Sequence, residues 1–554
     1  MISRCEHLLQ KSAWPIFILI VLFYGFMYAP YGLDNNDTGF ILGLAHQVFL
    51  GESLYDKIIY VRPPVSPVLH SFVFYKPFSI APVLVDRFFV IFQIATYSYI
   101  STIIAKKYFN WSGAFAGVVA SIAFVFSCHS FPFMAWHTID GIFFSVLAIY
   151  FITLDVNKNN YYLFFAACFS VLAAASKQPF YLSPVIILGL SFIVGSKIRI
   201  FFIASVSIFC AGVLFNIALG DFGARDLFFS AISSQTSFSD LLNAGFSSYR
   251  KDVSKLRSIV GVLPLFCVLY FLIMKNGMKN ISSGLILVSS IFIILMVVAQ
   301  FYFYLEDWSQ PLAVFDTVFV TTFLCSAVMA WKTRNDSWII IFTLHIIAWS
   351  ASISWGYQTA ILYAAPSVIT IAFFVERSIN QKWFIKAACV AILPVSLVIF
   401  YVAHEYYYSL EGPVRRESMT ADMSAISPVL KSIKSTPEQY DLYAQLMEIM
   451  NKLGDSKYVV LPNLPLAHAL QGKSNPLGID WPLNAEIGKS ENKLLDRLSN
   501  RVEFAIVYKN SSPKPETEGM FGSKITQYVN ENWRLVESTE KFSVFENPSD
   551  RVRH

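Results

Sequence analysis

Long apolar runs separated by short polar loops are the feature that most constrains this chain. About 20 apolar residues cross the hydrocarbon core of a membrane as one helix, and by this measure the chain contains about 13 spans. Only 14% of the residues are charged and 55% are hydrophobic, so we predict an α-helical polytopic membrane protein. The predicted spans are 14–30, 83–105, 111–129, 140–154, 161–176, 180–195, 200–219, 258–274, 281–304, 311–331, 338–355, 359–375 and 384–403.

Cations in the loops predict the orientation of these spans. Short loops rich in Lys and Arg stay on the cytoplasmic side of a membrane. Arg4 and Lys11 precede the first span, and Lys106 and Lys107 follow the second, so we predict a cytoplasmic N-terminus. An odd number of spans then puts the region after His404 on the outer side, which is the periplasm if the membrane is a bacterial inner membrane. The net charge of +5 comes from such loops and does not indicate nucleic-acid binding.

Two large segments are predicted on the outer side, namely the loop 31–82 and the region 405–554. The second has the composition of a soluble domain. Its patterns predict strands, a helix and a hairpin at 457–461, 502–508, 525–532 and 533–546. We therefore expect a transmembrane module at 1–404 and a small extracytoplasmic α/β domain at 405–554. We find no catalytic constellation in that domain and expect a lid or an acceptor-side wall.

The outer loop begins with acidic residues and a short amphipathic segment. Phe40, Ile41 and Leu44 fall on one side of a helix over 38–50, which suits a helix that lies in the membrane interface. Asp37 would stand at or near the start of this helix. Its carboxylate is either a helix cap or a general base, and the same two interpretations apply to Asp34.

Two cations also belong to the predicted outer face. Arg62 precedes Pro63 and Pro64, which hold the backbone stiff and extended. Its planar guanidinium suits a phosphate, although an interfacial Arg that reaches toward lipid headgroups is an equal alternative. Lys177 lies between the fifth and sixth spans and is either an ordinary loop lysine or a second phosphate ligand.

Asp140 opens the fourth span on the same side. An acid at a helix N-terminus is commonly a cap, but acids at the edge of an apolar span are also functional candidates. If Asp37, Arg62, Asp140 and Lys177 converge, two acids and two cations would suit a site that activates a hydroxyl and stabilises a departing phosphate. The sequence alone does not show this convergence.

The order and spacing of these motifs resemble the GT-C membrane glycosyltransferases, and most nearly the protein O-mannosyltransferases and the bacterial aminoarabinose transferases that act on lipid A. The resemblance covers roughly residues 14–220 and is weaker beyond them. The matching motifs are Asp37-Thr38-Gly39-Phe40, Arg62-Pro63-Pro64, Arg87 in DRFF, Asp140 in HTIDG, and Lys177-Gln178.

The resemblance implies a donor sugar, hexose or pentose, on a polyprenyl phosphate. Asp37 would deprotonate an acceptor hydroxyl, which then attacks the anomeric carbon with inversion. Arg62 and Lys177 would hold the carrier phosphate, and Asp140 would orient the acceptor or the sugar. The expected acceptor is an envelope glycan or lipid such as lipopolysaccharide or O-antigen, through a hydroxyl or a phosphate. A protein acceptor is a weaker alternative.

The chain also departs from the family pattern. Thr38 stands where the family often has Glu, and Val61 stands where some relatives have an acid that helps to hold a metal. We therefore predict no metal ligand there and no firm cofactor, with a divalent metal as the alternative. Tyr357 and Gln358 occupy the place of a His or Arg that approaches the carrier phosphate in relatives. These two residues join Asp34, Arg87 and Gln178 as further site candidates.

Other functional classes remain in competition at this point. A transporter or flippase of lipid-linked oligosaccharides predicts charges within spans and broken helices. An O-antigen polymerase or ligase usually has its main outer loop late in the chain, whereas in this chain it comes first. A non-catalytic scaffold predicts that loss of Asp37 has no effect.

Overall fold

The described residues up to 378 are mostly helical and are called the helical module, and those from 405 onward contain the strands and are called the C-terminal domain. The computed structural model of the chain describes residues 2–34, 37–128, 133–154, 161–195, 198–221, 245, 310–353, 360–378, 405–409, 412–487, 490–509 and 523–548. Three predicted spans (258–274, 281–304 and 384–403), together with Tyr357 and Gln358, lie outside the described residues.

Long helices make up the first part, as the apolar runs predict. Each predicted span within the described residues coincides with one of them. By length and composition, α4 is long and apolar enough to cross a membrane, and the other apolar helices are shorter. The helices are α1 Ile2–Tyr28, α2 Asp37–Phe49, α3 Val65–His70, α4 Pro82–Phe109, α5 Gly113–Cys128, α6 His137–Thr153, α7 Tyr161–Ala174, α8 Leu182–Gly195, α9 Ile198–Asp221, α10 Gln310–Thr333, α11 Asp336–Ser352 and α12 Ala365–Ser378.

Close approach of α6 to a 3₁₀ turn, Gln178–Tyr181, shapes one end of this module. A Cβ atom on Gly141 would lie 2.2 Å from the Phe180 ring, so only glycine fits at this position. The contact brings the first turn of α6, which carries Asp140, next to the chain at Lys177.

The C-terminal domain is a small α/β domain built on a four-stranded sheet of order β5-β6-β8-β7. β5 pairs with β6 in parallel, and the other two pairings are antiparallel. The predicted strands, helix and hairpin are confirmed within a few residues. The strands are β1 Glu405–Ser409, β2 Gly412–Arg415, β3 Ala421–Asp422, β4 Lys434–Ser435, β5 Tyr458–Leu461, β6 Phe504–Tyr508, β7 Arg534–Ser538 and β8 Phe542–Glu546; the helices are α13 Pro437–Leu453, α14 Ala467–Gln471, α15 Asn484–Ile487, α16 Glu491–Arg501 and α17 Lys524–Asn532.

The helix α2 differs from its prediction. The sequence predicted a helix lying in the membrane interface, but its residues from Thr38 to Gln47 are all buried. The physical reason is that the C-terminal domain covers it. Cβ atoms on Gly39 and Gly43 would each lie 2.5 Å from backbone atoms of Leu466 and Pro465, so these glycines permit close contact between the two backbones.

The loop and the C-terminal domain share one hydrophobic core. Leu42 and Leu44 of the loop belong to the same cluster as Leu442 and Leu446 of α13. Backbone hydrogen bonds also join the two parts, for example from the Ile59 N–H to the Gly478 carbonyl at 2.8 Å. The residues that surround α2 are therefore held by both parts of the chain.

Candidate active site between the loop and the C-terminal domain

Asp34, rather than Asp37, caps the first turn of α2. Its Oδ2 atom accepts hydrogen bonds from the backbone N–H groups of Asp37 and Thr38, the second at 3.4 Å. A carboxylate in this position satisfies N–H groups that have no partner within the helix. Of the two roles predicted for Asp37, the capping role thus falls to Asp34.

The carboxylate of Asp37 makes no hydrogen bond to the residues that the structure describes. Burial raises the pKa of Asp37, the charges of Asp34 and Glu486 raise it further, and the guanidinium of Arg62 lowers it, with a resulting pKa of about 8. A carboxylate normally titrates near pH 4. Asp37 is therefore a stronger base than an ordinary carboxylate, with oxygens available to accept a proton.

Arg62 forms a bidentate ion pair with Glu486 of the C-terminal domain. Nη1 lies 2.5 Å from Oε2 and Nη2 lies 2.5 Å from Oε1. Both side chains are buried, and the guanidinium carbon lies 4.9 Å from the centre of the Phe40 ring. The guanidinium thus lies inside the protein, in contrast to the alternative in which it reaches outward to lipid headgroups.

The backbone at Arg62 is fixed by contacts within the helical module. The Tyr55 hydroxyl donates to the carbonyl of Arg62 at 2.8 Å, and the Gln178 side-chain amide donates to the carbonyl of Val61 at 3.1 Å. Gln178, a candidate from the sequence, therefore positions the chain that carries Arg62. These contacts do not involve Glu486.

Lys177 is buried beside the same ion pair. Its Nζ atom donates to the hydroxyl of Thr138 at 2.9 Å. Burial lowers the pKa of Lys177 well below its ordinary value, the Arg62 charge lowers it further, and the Glu486 carboxylate opposes both effects. Lys177 is therefore within electrostatic range of Arg62 and Glu486, as the predicted convergence requires.

Asp140 lies in the first turn of α6, and its carboxylate is held by side chains rather than acting as a cap. Oδ1 accepts hydrogen bonds from His70 Nε2 at 3.2 Å and from Gln93 Nε2 at 2.8 Å. The other ring nitrogen of His70 lies 2.5 Å from Oδ1 of Asp86. Burial lowers the pKa of His70, but the two carboxylates outweigh it and raise the pKa to about 10. An imidazolium therefore joins two buried carboxylates.

Several buried polar atoms near these residues have no hydrogen-bond partner among the residues that the structure describes. They are the Tyr60 hydroxyl, both ring nitrogens of His137 and Oδ2 of Asp140. The charges of Arg62, Glu486 and Asp140 all act on the pKa of Tyr60, so this hydroxyl is within electrostatic range of the ion pair and of Asp140. Buried polar groups normally have a partner, and a ligand can supply it.

Aromatic side chains line the same place. A small cavity is bounded by Phe40 and Tyr60 from the loop and by Trp481 and Glu486 from the C-terminal domain. The Phe40 and Trp481 rings lie 5.2 Å apart. The C-terminal domain thus contributes both an aromatic wall and a charged group to the site.

The structure brings together the four principal candidates from the sequence. Asp37 and Lys177 each interact electrostatically with Arg62 and Glu486, and Asp140 acts on the pKa of Tyr60, as that ion pair also does. The catalytic and phosphate-binding roles of these four residues stay predictions.

Arg87 serves a different purpose from the other candidates. Its guanidinium donates to the backbone carbonyls of Ala29, Tyr31 and Gly32 at 2.8, 3.0 and 2.7 Å. It therefore fixes the chain that leads from α1 to Asp34. Tyr357 and Gln358 lie outside the described residues.

Sequence reasoning missed Glu486, His70 and Tyr60. Sequence reasoning named no site residue in the C-terminal domain, whereas Glu486 of that domain pairs with Arg62. This residue lies in a helix of four residues, and no local pattern distinguishes it from other acids. His70 gave one weak signal, as a polar residue at the end of an apolar segment.

No group of three or more His, Cys, Asp or Glu side chains that could hold a metal ion occurs within the described ranges.

Comparisons with known proteins return no matching family model and no matching curated protein. Among solved structures, ArnT from Cupriavidus metallidurans bound to undecaprenyl phosphate has a TM-score of 0.49 at 12% identity, over 97% of this chain and 98% of that chain. AglB, the oligosaccharyltransferase of Archaeoglobus fulgidus, in complex with an inhibitory peptide and a dolichol-phosphate has a TM-score of 0.47 at 14% identity, over 97% of this chain and 74% of that chain.

Both neighbours are GT-C enzymes, and ArnT is an aminoarabinose transferase, the kind of protein that the sequence motifs resemble. At such identities and TM-scores, the similarity does not establish an activity for this chain.

Proposed function

We propose that this chain is an integral membrane glycosyltransferase. It moves a sugar from a polyprenyl-phosphate carrier to an acceptor hydroxyl on an envelope glycan or lipid, such as lipopolysaccharide or O-antigen, on the outer side of the inner membrane. The observation that carries the proposal is the group formed by a carboxylate of raised pKa, Asp37, and two buried nitrogen donors, Arg62 and Lys177. Such a group can accept a proton and bind a phosphate in one place.

Asp37 is the general base of the proposed reaction. It takes the proton of the acceptor hydroxyl while the hydroxyl oxygen attacks the anomeric carbon and the bond from that carbon to the phosphate oxygen breaks. A single displacement of this kind inverts the configuration at the anomeric carbon. General-base catalysis contributes roughly 10²–10⁴-fold to a rate, so an amide at position 37 removes most of the activity.

Arg62 and Lys177 bind the carrier phosphate and stabilise the charge that it gains as it leaves. A guanidinium fork matches two phosphate oxygens, and a lysine adds a compact charge or a hydrogen-bond donor. Both side chains are buried, so they offer the phosphate donors in a site that contains little water.

Asp140 orients the sugar or the acceptor. Oδ1 is occupied by His70 and Gln93, whereas Oδ2 has no hydrogen-bond partner among the described residues. The Tyr60 hydroxyl and the two ring nitrogens of His137 also have no hydrogen-bond partner among the described residues. A polyhydroxylated ligand can satisfy all of these atoms, and the Phe40 and Trp481 rings offer apolar surfaces to a sugar ring.

The surface of the helical module supports a location in a membrane. Large apolar side chains of α1 and α9 face outward, with Leu19 and Phe26 63% and 68% exposed and Phe202 and Phe209 66% and 72% exposed. Soluble proteins rarely expose contiguous apolar surfaces of this kind. Lipid tails would cover these side chains.

A transporter or flippase of lipid-linked oligosaccharides fits the observations less well. Such proteins place their ionisable groups near the midplane of the membrane, between broken helices. In this chain Arg62 contacts Glu486 of the C-terminal domain, and the charge of Glu486 also acts on Asp37 and Lys177. An O-antigen polymerase or ligase also uses lipid-linked sugars, but it transfers a whole oligosaccharide, so the mass of the added unit distinguishes it.

The experiment compares envelope glycans from a host that lacks the chain, expresses it, or expresses Asp37→Asn. Mass spectrometry should show one added sugar with the wild type and none with D37N. Glu491→Gln is the control, because Glu491 pairs only with the exposed Lys524 among the residues described, and it should behave as the wild type. An added sugar in D37N at the wild-type level would contradict the assignment of Asp37.

A further inference from the structure

Arg62 already has an anionic partner in this structure. The two oxygens of the Glu486 carboxylate contact the two terminal nitrogens of its guanidinium, each at 2.5 Å. This is the geometry in which a guanidinium binds two oxygens of a phosphate. A carrier phosphate that bound Arg62 through the same fork would need the place that the Glu486 carboxylate fills.

A carboxylate and a phosphate cannot both occupy this place at low cost. Both groups are anionic, and like charges in a buried site repel each other strongly. Glu486 and Arg62 are 3% and 7% exposed, so little solvent is present to screen such repulsion. The influence of Glu486 on Asp37 and Lys177 shows that its charge already reaches the surrounding site.

The two partners of the ion pair are carried by different parts of the protein. The chain at Arg62 is fixed by Tyr55 and Gln178 of the helical module. Glu486 stands on α15, which is joined to the C-terminal domain, for example by the hydrogen bond from the Lys524 N–H to the Asn484 side chain at 3.2 Å. Glu486 can therefore leave Arg62 without disturbing the contacts that position the guanidinium.

A buried guanidinium with no counterion is strongly unfavourable. In the absence of substrate, some anion must neutralise Arg62, and the Glu486 carboxylate meets this need. The phosphate of the carrier meets it equally well when it is bound. The same cation thus has two alternative partners, one from the protein and one from the substrate.

We propose that Glu486 is the resident counterion of the carrier-phosphate site and that the phosphate of the polyprenyl carrier displaces it from Arg62 in each turnover. The proposal rests on the proposed function. When Glu486 returns to Arg62, it competes with the spent polyprenyl phosphate and promotes its release. The C-terminal domain therefore takes part in the reaction cycle through this one carboxylate.

The test measures binding of undecaprenyl phosphate to the full-length purified protein. Glu486→Gln keeps the size of the side chain and removes its charge, so the lipid no longer competes with an anion. We expect E486Q to bind undecaprenyl phosphate about tenfold more tightly than the wild type, or better. The same variant should show stronger inhibition by added undecaprenyl phosphate during turnover. Glu491→Gln removes a carboxylate at the surface of the same domain. This variant should bind undecaprenyl phosphate as tightly as the wild type does.

A second variant covers the case in which E486Q fails to fold. Glu486→Asp keeps the charge but is too short to reach both guanidinium nitrogens, so it should also bind the lipid more tightly, by a smaller factor. If the wild type binds the lipid and a folded E486Q or E486D binds it no more tightly, the exchange is overturned and the proposed function stands. If neither the wild type nor the variants bind it, the proposed function is overturned and the exchange with it.

Discussion

His70 Nε2 lies 3.2 Å from Oδ1 of Asp140. Because the other ring nitrogen contacts Asp86, the imidazole ring cannot turn without breaking a second buried contact. Gln93 occupies the same oxygen of Asp140, and Oδ2 has no hydrogen-bond partner among the described residues. The arrangement holds Asp140 in one orientation with a single oxygen available to a ligand.

Replacement of His70 by Asn should therefore reduce both stability and activity. It leaves the carboxylates of Asp86 and Asp140 buried without their cation, which costs about 3–5 kcal/mol in comparable cases. The double variant His70→Asn with Asp86→Asn removes one of these charges and should recover much of the thermal stability. It should recover little activity, because Asp140 is still not held. Wild-type activity in the double variant would contradict a positioning role for His70.

The rate should increase with pH as Asp37 loses its proton. The pKa of Asp37 is about 8, and only the ionised carboxylate can act as a base, so the rate should rise through this pH and level off above it. Asp34→Asn removes one of the charges that raise this pKa and keeps a residue that caps helices well. The midpoint of the pH–rate profile should therefore move to lower pH in D34N. An unchanged midpoint would argue that another group controls the profile.

Asp37 should also lower the stability of the folded protein at high pH. Its pKa is raised from 3.8 to about 8 by folding, so the folded state keeps a proton that the unfolded state has lost. The resulting loss in the free energy of unfolding is absent below about pH 4, grows as the pH rises from about 4 to 8, and is then constant. In thermal unfolding scans, Asp37→Asn should become progressively more stable than the wild type over that interval. A constant difference between the two proteins would contradict the raised pKa.

Contact between α2 and the C-terminal domain should tolerate no side chain at Gly39. A Cβ atom there would lie 2.5 Å from the backbone nitrogen of Leu466, so Gly39→Ala forces the two backbones apart. Overpacking of this kind typically costs about 1–3 kcal/mol. We expect lower thermal stability. We also expect lower activity, because Glu486 and Trp481 of the C-terminal domain move away from Arg62 and Phe40 of the loop. Gly189→Ala, whose Cβ would meet no atom within 4 Å, should have neither effect and serves as the control.

The sequence predicted the helices and the sheet of the C-terminal domain because apolar periodicity reports them locally. It singled out Asp37, Arg62, Asp140 and Lys177 because they are charged groups of the predicted outer face and their order and spacing resemble a known family. It could not predict the partner of Arg62, since Glu486 is 424 residues away and lies in an ordinary polar segment.

The burial of α2 was also not visible in the sequence. Its pattern shows one apolar side, but the opposite side is covered by the C-terminal domain. On that side, the side-chain amide of Gln47 donates a hydrogen bond to the carboxylate of Asp480. A pattern of one helix does not show which other segment will pack against it.

The most direct test of the central claim follows the carrier lipid itself. The purified full-length protein is incubated with a lipid extract from host membranes, and polyprenyl-phosphate sugars are quantified by liquid chromatography and mass spectrometry. We predict that the wild type converts one polyprenyl-phosphate sugar to polyprenyl phosphate and adds the same sugar mass to an acceptor. Asp37→Asn should consume roughly 10²–10⁴-fold less in the same time. Equal consumption by the two proteins, or none by the wild type, would contradict the account.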